Sequence, residues 1–375
     1  MSAAEIRRER PQGTATVMEV CGGQTHTILR WGLDQRLPAG MALIHGPGCP
    51  VCVTPLPVLE AAMALAQCPE VILCSYGDML RVPLPVPADP QQRSIDLLSL
   101  RAAGADVRLI TQPQQALQIA LQEPQRQVVL LAVGFETTAP ATALVAIQRR
   151  ALQLRNLHLL VAHVRVVPAM ARLLSSPESR LDALLAPGHV CSVIGLAEME
   201  ALAHTCERPV VGAGLSHSHP ERALQLSGRM LERGDHGLRN AYREVVQEQG
   251  NPRARALLAE VLEPIDLAWR GLGLIEAGGL ALKGAYVEAD VRWGLDRGDT
   301  AAALAPLKRQ GQALTRAPAK EEPEICRAAA VLQGHCLPSD CPAFGSSCRP
   351  EHPLGAPMVS EEGACAAWMQ YRGGG

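Results

Sequence analysis

The sequence predicts an α/β fold: two small doubly wound parallel-sheet domains facing a cleft, plus an irregular C-terminal domain organised by metal-binding cysteines. Three observations carry this. Short apolar runs alternate with Ala/Leu-rich amphipathic stretches over the first 235 residues, the pattern of strands covered by helices on both faces. Polar or thiol-bearing motifs stand directly after these runs, where open α/β sheets bind ligands. The last fifty residues lose periodicity and hold Cys326, Cys336, Cys341, Cys348 and Cys365, as expected where a metal replaces an apolar core.

Taken in order, strands are expected at 16–20, 41–45, 71–74, 107–111, 128–133, 158–162, 190–194 and 209–211. Helices are expected over 57–67, 139–153 and 197–206, where apolar residues recur at helical spacing. The Pro-rich stretch 82–90 and the break near 122–127 divide an α/β domain I (14–122) from an α/β domain II (123–235). A mainly helical connecting region (236–315) follows, then a charged, Pro-containing linker (316–324) and the cysteine-rich domain (325–375).

The bulk properties exclude several classes. A chain of 375 residues exceeds one ordinary core. It is 47% hydrophobic but only 3% aromatic, so the core is aliphatic. A net charge of −2 without a basic block argues against nucleic-acid and anionic-membrane surfaces. Residues 1–12 are charged and lack the apolar run of a signal peptide, and no stretch of about 18 apolar residues spans a membrane. A cytoplasmic protein is expected, in which clustered cysteines bind metal or cycle redox state.

Five motifs follow predicted strands: Cys21 to His26, the Cys49/Cys52 turn, Tyr76-Gly77-Asp78, Gly134-Phe135-Glu136-Thr137-Thr138, and His163 with Arg165. Cys49-Pro50-Val51-Cys52 suits a reversible disulfide or half of a tetrahedral metal site. Its Gly/Pro-rich turn predicts reachable thiols. Cys21 is a candidate thiolate ligand or nucleophile, its pKa lowered if a helix begins near Gln24. His26 is a candidate proton carrier or ligand, with a structural hydrogen bond as the bland alternative. Glu136 offers a carboxylate to the cleft, against a capping role for its two threonines. Cys68, Cys74, Cys191 and Cys206 lie in apolar elements and read as core. Cys326, Cys341, Cys348 and Cys365 are spaced x14, x6 and x16, unlike the paired short spacings of zinc modules. They suit a 4Fe–4S cubane better, with Cys336 as a fifth candidate.

The runs 18–26, 46–52, 134–138 and 358–365, with Trp269-Arg270-Gly271 and Asn240-Ala241-Tyr242, resemble the HypD family of [NiFe]-hydrogenase maturation proteins over 16–371. The resemblance implies two α/β domains facing a cleft and a C-terminal 4Fe–4S domain. It also implies a scaffold, with the small partner HypC and the cyanide donor HypE, on which an iron ion receives two cyanides and one carbon monoxide before HypC passes it to the hydrogenase large subunit. Cys21 would be the iron-site thiolate, Cys49 and Cys52 the redox pair, Glu136 and His26 accessory groups, and Cys326, Cys341, Cys348 and Cys365 the cluster ligands. Such a protein is an assembly scaffold with redox chemistry rather than a metabolite-turnover enzyme. An iron–sulfur disulfide reductase acting on a partner protein and a zinc-stabilised adaptor are the competing readings. The chain departs from the family pattern at Gly214-Leu215-Ser216-His217-Ser218-His219-Pro220, where a carboxylate run is usual, and at Ala328 and Pro357, where further cysteines are usual.

Overall fold

In the computed structural model, residues 13–84, 95–295, 298–305, 323 and 325–373 are described. Most of the predicted linker 316–324, part of the Pro-rich stretch 82–90 and all of 1–12 lie outside them. The strands are β1 (Ala15–Glu19), β2 (Met41–His45), β3 (Val71–Ser75), β4 (Val107–Leu109), β5 (Gln127–Gly134), β6 (Leu157–His163), β7 (Ala183–Pro187), β8 (Pro209–Ala213), β9 (Gly237–Asn240), β10 (Leu262–Trp269) and β11 (Gly273–Leu282). They form two wholly parallel sheets, ordered β2-β1-β7-β8-β9 and β4-β3-β5-β6, and one antiparallel hairpin, β10-β11.

The two sheets belong to two compact units, and these are interleaved along the chain. One contains the described residues of Met1–Cys52, Val166–Pro252 and Glu324–Gly375; the other contains those of Val53–Arg165 and Arg253–Pro323. The consecutive blocks 14–122 and 123–235 expected from the sequence are therefore not the units seen. Pairing of β1 with β7 brings Val17 beside Ala183, a long-range choice that local composition does not encode. The cysteine-rich segment is likewise not a separate body: its contacts place it in the first unit.

The first unit buries Val17, Ile28, Ala183, Leu185, Val211 and Leu224 between sheet and helices. The second packs Ile72, Leu130, Ala132 and Leu159 against the helix Ala139–Ala151 and the β10-β11 hairpin. Strands such as β5, buried along nearly all its length, require apolar side chains on both faces, which is why they were legible as continuous runs. Helices Leu56–Ala66, Ala139–Ala151 and Ala197–Thr205 match expectation.

Two assignments are corrected. Residues 190–194 are not a strand but part of the helix Gly188–Ile194; the strand is the preceding Ala183–Pro187. A five-residue apolar run carries no usable periodicity, and its valines misled. The 236–315 region is not mainly helical, since it contains β9 and the long β10-β11 hairpin, whose ladder shifts register between Ile265 and Leu267. No helix among the described residues is long and apolar enough to cross a membrane.

Candidate metal and thiol site of the first unit

A strand order of β2-β1-β7-β8-β9 reverses direction between β1 and β7, and a crevice opens beyond their carboxyl ends at such a switch point. Cys21 follows β1 and His189 follows β7, so the fold itself brings them together. Cys21 Sγ lies 3.7 Å from His189 Nδ1. His189 sits in the helix Gly188–Ile194 and is held below the usual imidazole range by burial, which favours the neutral, ligating form. The mistaken strand at 190–194 concealed this residue in the sequence.

Cys21 is the N-cap of the helix Gly22–Arg30, which begins two residues earlier than expected. The backbone N–H groups of Gln24 and Gly23 lower its pKa as a helix start should, but burial and the adjacent Glu19 carboxylate outweigh them and push the thiol well above its ordinary value. The expected thiolate activation is therefore reversed: in the free protein this is a protonated thiol. A soft metal must displace that proton to bind.

Glu19 organises the surroundings from the last position of β1. Fully buried, it accepts the Cys21 N–H at 2.8 Å, a hydrogen bond from His45 Nδ1 at 2.7 Å and the Thr25 hydroxyl. Register explains the histidine, since Glu19 and His45 are partners on the parallel strands β1 and β2. Gln24 fixes the helix to the sheet by donating its amide to the Ala186 and Ala213 carbonyls, at 3.1 and 2.7 Å. A carboxylate inside a predicted strand, costly to bury without partners, was the overlooked signal for this network.

The Cys49/Cys52 turn lies against the same helix start. Gly48 O accepts the Gly22 N–H at 3.0 Å, and a β-carbon at Gly48 would stand 2.5 Å from the Cys21 nitrogen. Only glycine permits that approach. Cys49 and Cys52 form a disulfide, and the Cys52 N–H donates to Cys49 Sγ at 3.1 Å. Their exposures are 1% and 0%, so the expectation of reachable thiols fails. The C-terminal segment covers them: Cys52 Sγ is 3.7 Å from Ala356 O. His26 is part of this closure, 2.6 Å from Glu361 O and 3.1 Å from the Tyr371 hydroxyl, and Arg372 pairs with Asp34.

Gly355, Pro357 and Met358, around that same carbonyl, line a pocket together with Cys326, Cys341, Cys348 and Cys365. Four cysteines among the residues of one largely apolar pocket have the donor chemistry of an iron–sulfur cubane, and the residue types fit that group. As they stand, no three His, Cys, Asp or Glu side chains among the described residues are close enough to hold a single ion. Hydrogen bonding from Cys326, helped by backbone N–H groups, holds Cys341 well below the usual thiol range. Cys336 does not line the pocket; it is buried in the apolar cluster with Val331 and Met358, and burial pushes its thiol up to about 12.

Glu136 is in the second unit, 3% exposed just beyond β5. The segments after β3 and β5 flank the switch point of that sheet, and Asp78 and Glu136 lie on them. Cys68, Cys74 and Cys191 are buried as expected, and Cys206 is half-buried.

A family model described as HypD, hydrogenase formation hypA family, matches residues 1–372. The chain is similar to the hydrogenase maturation factor HypD of Escherichia coli K12, at 39% identity over 97% of this chain and 90% of that protein. It is also similar to HypD of Rhodobacter capsulatus, at 40% identity over 99% and 94%. The hydrogenase expression/formation protein HupD of Azotobacter chroococcum is 40% identical over 98% and 93%.

Proposed function

This chain belongs to the HypD family of hydrogenase maturation factors, and we propose that it is the scaffold on which the iron centre of a [NiFe] hydrogenase is assembled. In this reading Cys21 and a cysteine of the HypC-type partner hold the iron cargo, with His189 beside them. Soft thiolate suits a low-spin iron carrying two cyanides and one carbon monoxide. Partners are the HypC-type chaperone, which carries the product to the hydrogenase large subunit, and the HypE-type cyanide donor. The compartment is the cytoplasm.

Cyanide release from a protein thiocyanate takes two electrons. The Cys49/Cys52 dithiol supplies them: R–S–C≡N and two thiols become R–SH, HCN and the Cys49–Cys52 disulfide. The Cys52 N–H, directed at Cys49 Sγ, stabilises a thiolate there and makes Cys49 the attacking sulfur. Cys326, Cys341, Cys348 and Cys365 would hold a 4Fe–4S cluster, which when bound supplies single electrons. The observation that carries the reading is the contact of Cys52 with Ala356, whose chain neighbours line the four-cysteine pocket. A disulfide reductase would use the same pair but leaves the Cys21–His189 juxtaposition without a role, and the family membership does not favour it.

Anaerobic purification tests the proposal. About four irons and four sulfides per chain are expected, and co-purification with the two partners should give infrared bands of cyanide and carbonyl stretching. Zinc in place of iron, or iron without such bands where a related complex shows them, would contradict it.

A further inference from the structure

The segment 214–220, singled out by its sequence, contains a hydrogen-bonded chain of three groups that iron-centre assembly leaves unused. Ser216 Oγ lies 2.8 Å from His219 Nδ1, and His219 Nε2 lies 2.5 Å from Glu244 Oε1. A carboxylate only accepts, so Nε2 carries the hydrogen and donates it. In the neutral ring Nδ1 is then the acceptor for the Ser216 hydroxyl. Carboxylate, imidazole and hydroxyl thus stand in the order that makes serine a nucleophile, with the two ring nitrogens exchanged relative to the commonest serine-hydrolase arrangement.

The surroundings fix this order. The His219 ring is half-buried against Tyr242, with centroids 4.6 Å apart. A β-carbon at Gly214 would stand 2.6 Å from Nδ1, so only glycine leaves the ring its place. Arg222 is 3.6 Å from the second Glu244 oxygen. Ser216 itself is exposed at the carboxyl end of β8. Among the described residues the N–H groups of His217 and Ser218 have no acceptor. They open the sixteen-residue helix Ser218–Arg233, where donors and dipole favour an anion. Exposed Leu215 adjoins the serine, and exposed Trp31 meets the His217 ring at 5.0 Å.

We propose that Ser216, His219 and Glu244 form an acyl-transfer site that hydrolyses carboxylic esters with small apolar acyl groups. Ser216 Oγ bonds to the carbonyl carbon while its proton passes to Nδ1, and the oxyanion faces the His217 and Ser218 N–H groups. The proton then goes to the departing alcohol, leaving an acyl–Ser216 ester. Water, deprotonated by the same nitrogen, releases the acid and restores the serine. The net change is ester plus water to acid plus alcohol.

The test is labelling of the full-length chain with a fluorophosphonate, mapped by peptide mass spectrometry, beside p-nitrophenyl acetate hydrolysis. A single adduct on Ser216 is expected. His219→Gln should slow its formation by about 100-fold or more, and Glu244→Gln by about 10-fold. Ser216→Ala should remove the adduct and the hydrolysis while circular dichroism and melting are unchanged. No adduct on Ser216, or an undiminished rate in His219→Gln, overturns the proposal. Neither result bears on iron-centre assembly, which the infrared measurement tests separately.

Discussion

The two parallel sheets share a strand order around their turning points and differ in what the following loops carry. At β1/β7 the loops present a thiol and an imidazole, Cys21 and His189. At β3/β5 they present oxygen groups, Asp78 and Glu136 with its threonines, backed by His163. Its Nδ1–H donates to the Gly134 carbonyl at 3.2 Å and Nε2 accepts from the Thr142 hydroxyl at 2.9 Å. The backbone architecture thus supplies a switch point twice, and the residues after each strand decide whether it carries soft thiol and imidazole groups or hard, oxygen-bearing ones. The first site also gains a lid of its own chain, because the cysteine-rich segment belongs to the same unit.

The largest effects should come from breaking the cysteine apparatus that only the first unit possesses. Cys341→Ser is expected to lose cluster absorbance altogether after anaerobic reconstitution, whereas Cys336→Ser keeps it; the reverse would reassign the four ligands. For the disulfide, Cys52→Ser should stop hydrogenase maturation in cells while its circular dichroism stays native. Normal maturation would remove the pair from the mechanism.

The second unit makes a graded prediction. Burial lowers His163 to about 4 from 6.5. The unfolded chain therefore takes up this proton below 6.5 and the folded chain only near 4. Stability falls as pH drops through that window, by roughly 3 kcal/mol in all, and is unaffected by this group above it. Unfolding curves of His163→Gln should show a shallower acid limb between pH 6.5 and 4 than the parent protein. Equal slopes would mean that His163 is not buried neutral.

The smallest effect sharpens the first site. Glu19 raises the Cys21 pKa, second to burial, so Glu19→Gln should move the titration of the thiolate ultraviolet absorbance to lower pH without restoring an ordinary value. No movement, or an upward one, would show that the Glu19 charge does not raise the Cys21 pKa.

What could be read from the sequence follows from which interactions are local. Strands such as β5 are uniformly apolar because both faces are buried, so the parallel α/β class was legible. Cys326, Cys341, Cys348 and Cys365, grouped in the sequence by residue type alone, are among the residues that line one pocket. The β1–β7 pairing was not, because it joins residues from distant parts of the chain, and the interleaving of the units went with it. His189 was lost for a related reason: a stretch as short as 190–194 has no periodicity that tells a helix from a strand. Burial of Cys21, Cys49 and Cys52 was missed because a Gly/Pro-rich turn looks exposed until another part of the chain is packed over it.

The role proposed for Cys21, at the first switch point, is to hold the iron being assembled. Infrared spectra of the complex co-purified anaerobically with its two partners test it most directly, comparing the parent chain with Cys21→Ala. Cyanide and carbonyl bands in the parent and none in Cys21→Ala, with cluster absorbance equal in both, are the predicted result. Bands of undiminished intensity in Cys21→Ala would contradict the account.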